Sequence, residues 1–165
     1  MGSNKYKVLV VQGLHEQGLE MLKQRSDIEF KVLLSDDENE ILEAAKDVNG
    51  ITVRTAQITE KIINSSKNLQ VISRHGVGYD SINLKSLNKK KIPLTIAAHS
   101  NMISVSEQAM FFLLALNKNV FYYDDFTRKG DWTNRWDVKA WDLAQKNICL
   151  LYTSDAADER RRGGG

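Results

Sequence analysis

The chain has 165 residues, 42% of them hydrophobic and 27% charged, with a formal net charge of +2. That length suits one globular domain with some further structure, and part of the small excess charge sits at Arg160, Arg161 and Arg162, so no electrostatic case for nucleic acid exists. A lone cysteine, Cys149, excludes an internal disulfide, and the longest apolar run, Met110 to Leu116, is far shorter than the roughly 18 residues of a membrane span.

The first residues, Met1-Gly2-Ser3-Asn4-Lys5-Tyr6, lack the apolar core of a signal peptide, which makes the cytoplasm the expected compartment. Lys7 to Val11 is a short continuous apolar run, as expected of a strand covered on both faces. A helical pattern follows with Leu19 and Leu22 opposite Glu16, Glu20 and Lys23. Glu29 to Leu34 reads as a second strand, and Asp36 to Val48 as a second helix with Ile41, Leu42 and Ala45 on one side. Gly50 to Val53 is a third strand, and Thr59 is placed to cap a third helix. Leu69 to Ser73, Asn83 to Lys91 and Pro93 to Ala97 complete the pattern as strand, helix and strand.

Strands alternating with helices predict an α/β fold, a doubly wound parallel five-stranded sheet of the flavodoxin type. Ligands of such sheets bind beyond the carboxyl ends of the strands. That rule points to Gln12-Gly13, Arg54-Thr55, Arg74 to Gly78 and Ala98 to Asn101. From Ser100 to about Lys129 the rhythm becomes one long helical pattern. Its MFFLLAL centre is apolar on nearly every side, which predicts burial between two bodies. A last strand is expected at Asn147 to Leu151, with Cys149 as a small core residue.

"VISRHGVGYDSINL" carries the most chemistry. A buried strand ends at Arg74, turns through Gly76-Val77-Gly78 and reaches Asp80. Glycines allow positive φ and close approach to the amides, and consecutive N–H groups in such a turn form a concavity for a carboxylate or phosphate. A purely structural turn reads equally from these residues. A dinucleotide fingerprint is excluded, because Ser81 stands where the third glycine would be. His15, His75 and His99 lack carboxylate partners and read as loop residues, not as a metal site.

The order and spacing of "RHGVGYDSINL", "HSNMISVSEQAMFFLLAL", "RKGDWTNRWD" and "LAQKNICL" are more specific. From about Lys7 to Leu150 the chain resembles the amino-terminal part of the D-isomer-specific 2-hydroxyacid dehydrogenases, which include phosphoglycerate and formate dehydrogenases. The resemblance implies a substrate-binding domain over residues 1–99. It further implies, over residues 100–150, a linker helix and the first strand of a Rossmann NAD-binding domain cut short before its glycine loop. Residues 151–165, "LYTSDAADERRRGGG", resemble sequencing-adapter read-through with a low-complexity end and are read as a non-native tail.

The resemblance also assigns roles. The amides of Gly76, Val77 and Gly78 would receive the carboxylate of a small 2-hydroxy or 2-oxo acid, with Val77 also near the nicotinamide. Asn101, in "NMISVSE", matches a substrate-contacting asparagine, and Arg54 stands where the family places a polar residue facing the acid. Each has a plainer reading: Asn101 as a helix cap, Arg54 as the partner of a surface carboxylate, Arg74 as a brace for the turn. Ser104 and Glu107 read as a capping box. Family "V-A-E-H" is Val105-Ser106-Glu107-Gln108 here, and "D-N-[IV]-D" is Asp80-Ser81-Ile82-Asn83. The family's catalytic Arg, Glu and His belong to the NAD domain, and no residue here aligns with them. The parent is therefore expected to be an NAD- or NADP-dependent oxidoreductase, homodimeric and bound to neither nucleic acid nor membrane, whereas this chain holds no cofactor tightly and is inactive. Rival readings are an NAD-binding corepressor-type relative and a flavodoxin-like interaction module. A receiver domain would need acidic residues where Gln12-Gly13 and Arg54 stand.

Overall fold

The computed structural model describes residues 5–130, 133 and 136–149. It divides into two compact units, Met1–Met102 and Ile103–Gly165. In the first, strands and helices alternate as β1 (Tyr6–Val11), α1 (Glu16–Lys23), β2 (Ile28–Leu33), α2 (Glu38–Ala44), β3 (Gly50–Val53), α3 (Glu60–Ser65), β4 (Val71–Arg74), α4 (Leu84–Lys90) and β5 (Leu94–Ile96). The strands form one sheet in the order β2-β1-β3-β4-β5, and every pairing is parallel. The expected flavodoxin-type sheet is thus present, with element ends shifted by a few residues.

Side chains alternate across a strand, so each strand has two different faces. Leu9, Val11, Ile51, Val53 and Ile72 point to one face and are buried to within 1%. Ile41 of α2, Ile62 and Ile63 of α3 and Leu87 of α4 pack on them to make the core. Each isoleucine removed from water in this way contributes about 1.5–3 kcal/mol. These helices start at side-chain caps. Asp37 Oδ1 accepts from Asn39 N at 2.9 Å and Glu40 N at 3.0 Å, and Asn83 Oδ1 accepts from Ser86 N at 3.0 Å. Thr59 accepts from Ile62 N at 3.5 Å, the cap expected from sequence.

The opposite face is different. No residue of α1 is buried, and Val8, Thr52 and Ser73 are only half-buried. A cavity of about 570 Å³ opens between α1 and the sheet, lined by Val8, Leu14, Leu22, Thr52 and Val71 among others.

In the second unit α5 (Met102–Asn117) and α6 (Val120–Arg128) replace the single helix expected from Ser100 to Lys129. The break is held by contacts from further along the chain. Asn119 is left-handed at φ 49, and the Asn117 carbonyl is taken by the Trp141 amide at 2.8 Å. Asn119 Nδ2 donates to Lys139 O at 2.7 Å, fixing the corner. Of the MFFLLAL segment only Ala115 is buried, whereas Phe111, Phe112, Leu114 and Leu116 are exposed. The capping box also falls: α5 begins at Met102, which puts Ser104 inside the helix.

The last strand is a further correction. Residues 147–149 pair with no strand, and Ile148 and Cys149 are exposed instead of in a core. A strand is held by the ladder it joins, and the described residues of this unit contain no other strand. Leu150, Leu151 and the tail read as non-native lie outside the described residues.

Candidate functional site at the carboxyl edge of the sheet

Because all five strands run parallel, their carboxyl ends share one edge. Val53, Arg74 and Ile96 stand in register across β3, β4 and β5, and Val11 pairs with Val53. Gln12, Arg54, His75 and Ala97 are therefore the first residues past the edge on neighbouring strands, spaced by about 4.8 Å per strand.

The turn after β4 is held from both ends. His75 N donates to Val53 O at 2.8 Å, Gly76 N to Arg74 O at 2.9 Å, and Ala97 N to Gly76 O at 3.0 Å. Downstream, Ile82 N donates to Tyr79 O at 2.9 Å and Ile58 N to Ser81 O at 2.8 Å, and Ile58 and Ile82 form an isolated bridge. Arg74 folds back over the turn, its Nη1 donating to His75 O, while its Nε is buried with no partner. Gly76 has φ +151, and a Cβ there would lie 2.5 Å from Arg74 Nη1. Arg74 braces this turn, and glycine is what the turn requires.

Between the two anchors, Val77 and Gly78 are exposed, and their amides bond to nothing among the described residues. Gly76 differs from them, since its N–H is already engaged. The Asp80 carboxylate lies beside Gly78, with Oδ2 3.6 Å from where a Cβ would be. Arg54 is exposed and makes no hydrogen bond or ion pair among the described residues, so no surface carboxylate claims it. Asn101 is exposed in the residue just before α5, and its side chain enters no hydrogen bond of the described residues. His15 caps α1, its Nδ1 accepting from Gln17 N at 3.4 Å, and no cluster of metal ligands occurs among the described residues.

One residue, marked in the sequence by its position alone, has a role that the sequence did not show. Gln12 is left-handed at φ 65, and its side chain reaches the loop after β3. Its Oε1 accepts from Thr55 N at 2.7 Å and Ala56 N at 2.8 Å, while Nε2 donates to Thr55 Oγ1 at 3.0 Å. The only advance signal was its place at a strand end.

The arrangement presents two free amides and a free guanidinium on one edge, a donor set suited to a small anion. It does not fit a dinucleotide. Ser81 stands where the fingerprint glycine is required, and Asp80 would repel a pyrophosphate more than a monocarboxylate. The cavity under α1 opens onto this edge, since its lining includes Arg74, His75, Ile96 and Ala97, and from there it reaches along the strands to Arg25 and Ile28.

Comparison with known proteins agrees with this architecture. The chain is 31% identical over 130 residues to D-3-phosphoglycerate dehydrogenase of Methanocaldococcus jannaschii, covering 78% of this chain and 24% of that protein. It is 27% identical to glyoxylate reductase of Thermococcus kodakarensis, over 96% of this chain and 51% of that protein. The chain thus spans about half or less of these relatives' length. A crystal structure of the PH0520 protein from Pyrococcus horikoshii superposes with a TM-score of 0.70 at 28% identity, over 84% of this chain and 43% of that one. The family model described as D-isomer specific 2-hydroxyacid dehydrogenase, catalytic domain, matches residues 8–161, a longer stretch than the motifs alone cover. On that match the chain belongs to the D-isomer specific 2-hydroxyacid dehydrogenases.

Proposed function

We propose that this chain is the acid-binding part of an NAD- or NADP-dependent oxidoreductase acting on the CH–OH group of a small D-2-hydroxy acid. Residues 1–99 are the substrate domain, and the stretch from residue 100 leads towards the cofactor domain. The substrate's carboxylate is received by the amides of Val77 and Gly78, with Gly76 shaping the turn that presents them. Arg54 and Asn101 meet the remaining polar groups of the acid, and Val77 lies on the side where a nicotinamide would approach.

The observation that carries this reading is the pair of unsatisfied, exposed amides at Val77 and Gly78 between two hydrogen-bonded anchors. Backbone donors held in that way bind an anion without reorganisation. A nicotinamide cofactor supplies hydride transfer when bound, but the described residues offer no loop to hold it, so this chain contributes recognition of the acid. Which acid is bound depends on more than this edge, since the two relatives named above are a phosphoglycerate dehydrogenase and a glyoxylate reductase.

The test is a titration of the chain with glycolate, followed by backbone-amide NMR. The amides of Val77 and Gly78 are expected to move most, and an unchanged pair at saturating glycolate defeats the assignment. In parallel, the chain with NADH and glyoxylate is expected to show no oxidation of the reduced cofactor; turnover would overturn the reading of an inactive chain.

A further inference from the structure

Open α/β sheets usually bind ligands where the chain reverses its winding, and in the order β2-β1-β3-β4-β5 that point lies between the carboxyl ends of β1 and β3. Gln12 leaves β1 there, across from Arg54, Thr55 and Ala56 leaving β3. What fills the reversal point is a side chain of the protein itself. Gln12 Oε1 accepts from Thr55 N at 2.7 Å and from Ala56 N at 2.8 Å, and the Thr55 hydroxyl stands 3.3 Å from the same oxygen.

Two successive backbone N–H groups converging on one oxygen are donors of the kind that receive a carboxylate. The surrounding charge suits an anion as well: residues 9–15 and 53–59 contain no acidic side chain, and Arg54 is cationic. Ala56 is buried and Thr55 exposed, so the donor pair sits at the boundary of core and solvent. The backbone of Gln12 is bent to deliver the oxygen. A side chain other than glycine or asparagine rarely occupies the left-handed region, yet Gln12 holds φ 65 immediately before Gly13 at φ 75, while Gln12 N stays bonded to Leu33 O at 2.7 Å. Such a conformation persists only where surrounding contacts impose it, and the carboxamide supplies those contacts.

We infer that the Thr55 and Ala56 amides form a latent site for a small carboxylate, kept closed by Gln12 acting as an internal ligand. The inference goes beyond the acid-binding reading above and does not depend on it. An acceptor tethered to the same chain outcompetes a free one by a factor of about 10²–10⁴, so an acid in solution does not displace the carboxamide. Without the carboxamide, the two N–H groups are left unpaired at a place already shaped for an anion. Thr55 Oγ1, which now accepts from Gln12 Nε2 at 3.0 Å, is then free to turn its proton towards the ligand as a third donor. In the wild type the same contact keeps a carboxylate out of the crevice between β1 and β3.

The test titrates formate, a carboxylate no larger than the carboxamide head, into the full chain and follows the Thr55 and Ala56 amides by NMR. In the wild type both are expected to stay still. In Gln12→Gly the left-handed backbone is unstrained and the side chain is gone, so both amides should move and saturate, with an affinity at least about tenfold above any response of the wild type. Gln12→Asn also suits the left-handed backbone but is one methylene too short to reach the amides. It should open the site in the same way, so the outcome does not rest on the folding of one variant. Gln12→Glu places a carboxylate oxygen of its own on the pair and should keep both amides still. A saturable response of Thr55 and Ala56 in the wild type would show that the site is not closed. No response in either Gln12→Gly or Gln12→Asn would show that these amides do not hold a carboxylate. Either result overturns the inference.

Discussion

Two positions show how single residues set local geometry. At Gly76 a side chain meets two obstacles, the φ of +151 and the Arg74 guanidinium 2.5 Å from a Cβ. The guanidinium can swing away, but only by giving up its bond to His75 O, and the backbone strain remains. Gly76→Ala is therefore expected to cost about 1–3 kcal/mol in a urea unfolding curve and to abolish the glycolate response at Val77 and Gly78. At the far edge of the sheet, Lys7 Nζ is bonded to Asp47. That hydrogen bond, and then the ammonium charge, hold the Asp47 carboxyl below the ordinary 3.8. A depressed carboxylate contributes stability above its unfolded pKa, and the contribution is lost as pH falls through the folded one. In Lys7→Met the Asp47 carbon signal should titrate at a higher pH than in the wild type, towards 3.8, and an identical titration would refute the coupling. The Gly-x-Gly turn was legible because glycine announces its backbone. Gln12 was not, since a left-handed glutamine arises from contacts 43 and 44 residues away that no local pattern encodes.

Helix starts follow the same logic, being local chemistry. Thr59 was identified as a cap because a hydroxyl placed before Glu60-Lys61-Ile62 has a free amide to serve. Helix breaks inside an apolar run carry no such mark. The run from Ile103 to Val120 has a helical period throughout, and only the Trp141 and Lys139 contacts end α5 at Asn117 and restart the chain as α6. The ladder that a last strand needs is likewise invisible in the strand's own residues, which is why Ile148 and Cys149 were misread. The exposure of α5 has a physical consequence. Phe111, Phe112, Leu114 and Leu116 leave an apolar surface of the kind that soluble monomers seldom carry beyond a few hundred Å². Self-association is the expected outcome, with an average mass in sedimentation that rises with concentration. Replacing Phe111 and Phe112 by serine should lower that mass towards 18.7 kDa. A wild-type chain that stays monomeric at high concentration would contradict the expectation.

For the first unit as a whole, topology was the most legible property. Five apolar runs separated by helical ones leave few arrangements once crossovers must be right-handed, and the sheet order β2-β1-β3-β4-β5 is among them. The two faces, however, are not equal partners, and the strand runs did not reveal it. Val8 looks as apolar as Leu9 and Val11 and is only half-buried, and Val10, though wholly buried, stands outside the main cluster, which includes Leu9 and Val11 and extends towards α2, α3 and α4. Stability should accordingly be lopsided. Ile63 is wholly buried in that cluster, so Ile63→Ala removes packed methylenes and leaves a cavity that its neighbours cannot close, at a cost of about 2–5 kcal/mol. Leu22 of α1 lines an open cavity and is only half-buried, so Leu22→Ala should cost under about 1.5 kcal/mol, the part of its burial that is realised. Urea midpoints of the two variants decide the matter. A cost for Leu22→Ala as large as that for Ile63→Ala would mean that the α1 face is packed as tightly as the other, and that the cavity beneath it does not persist in solution.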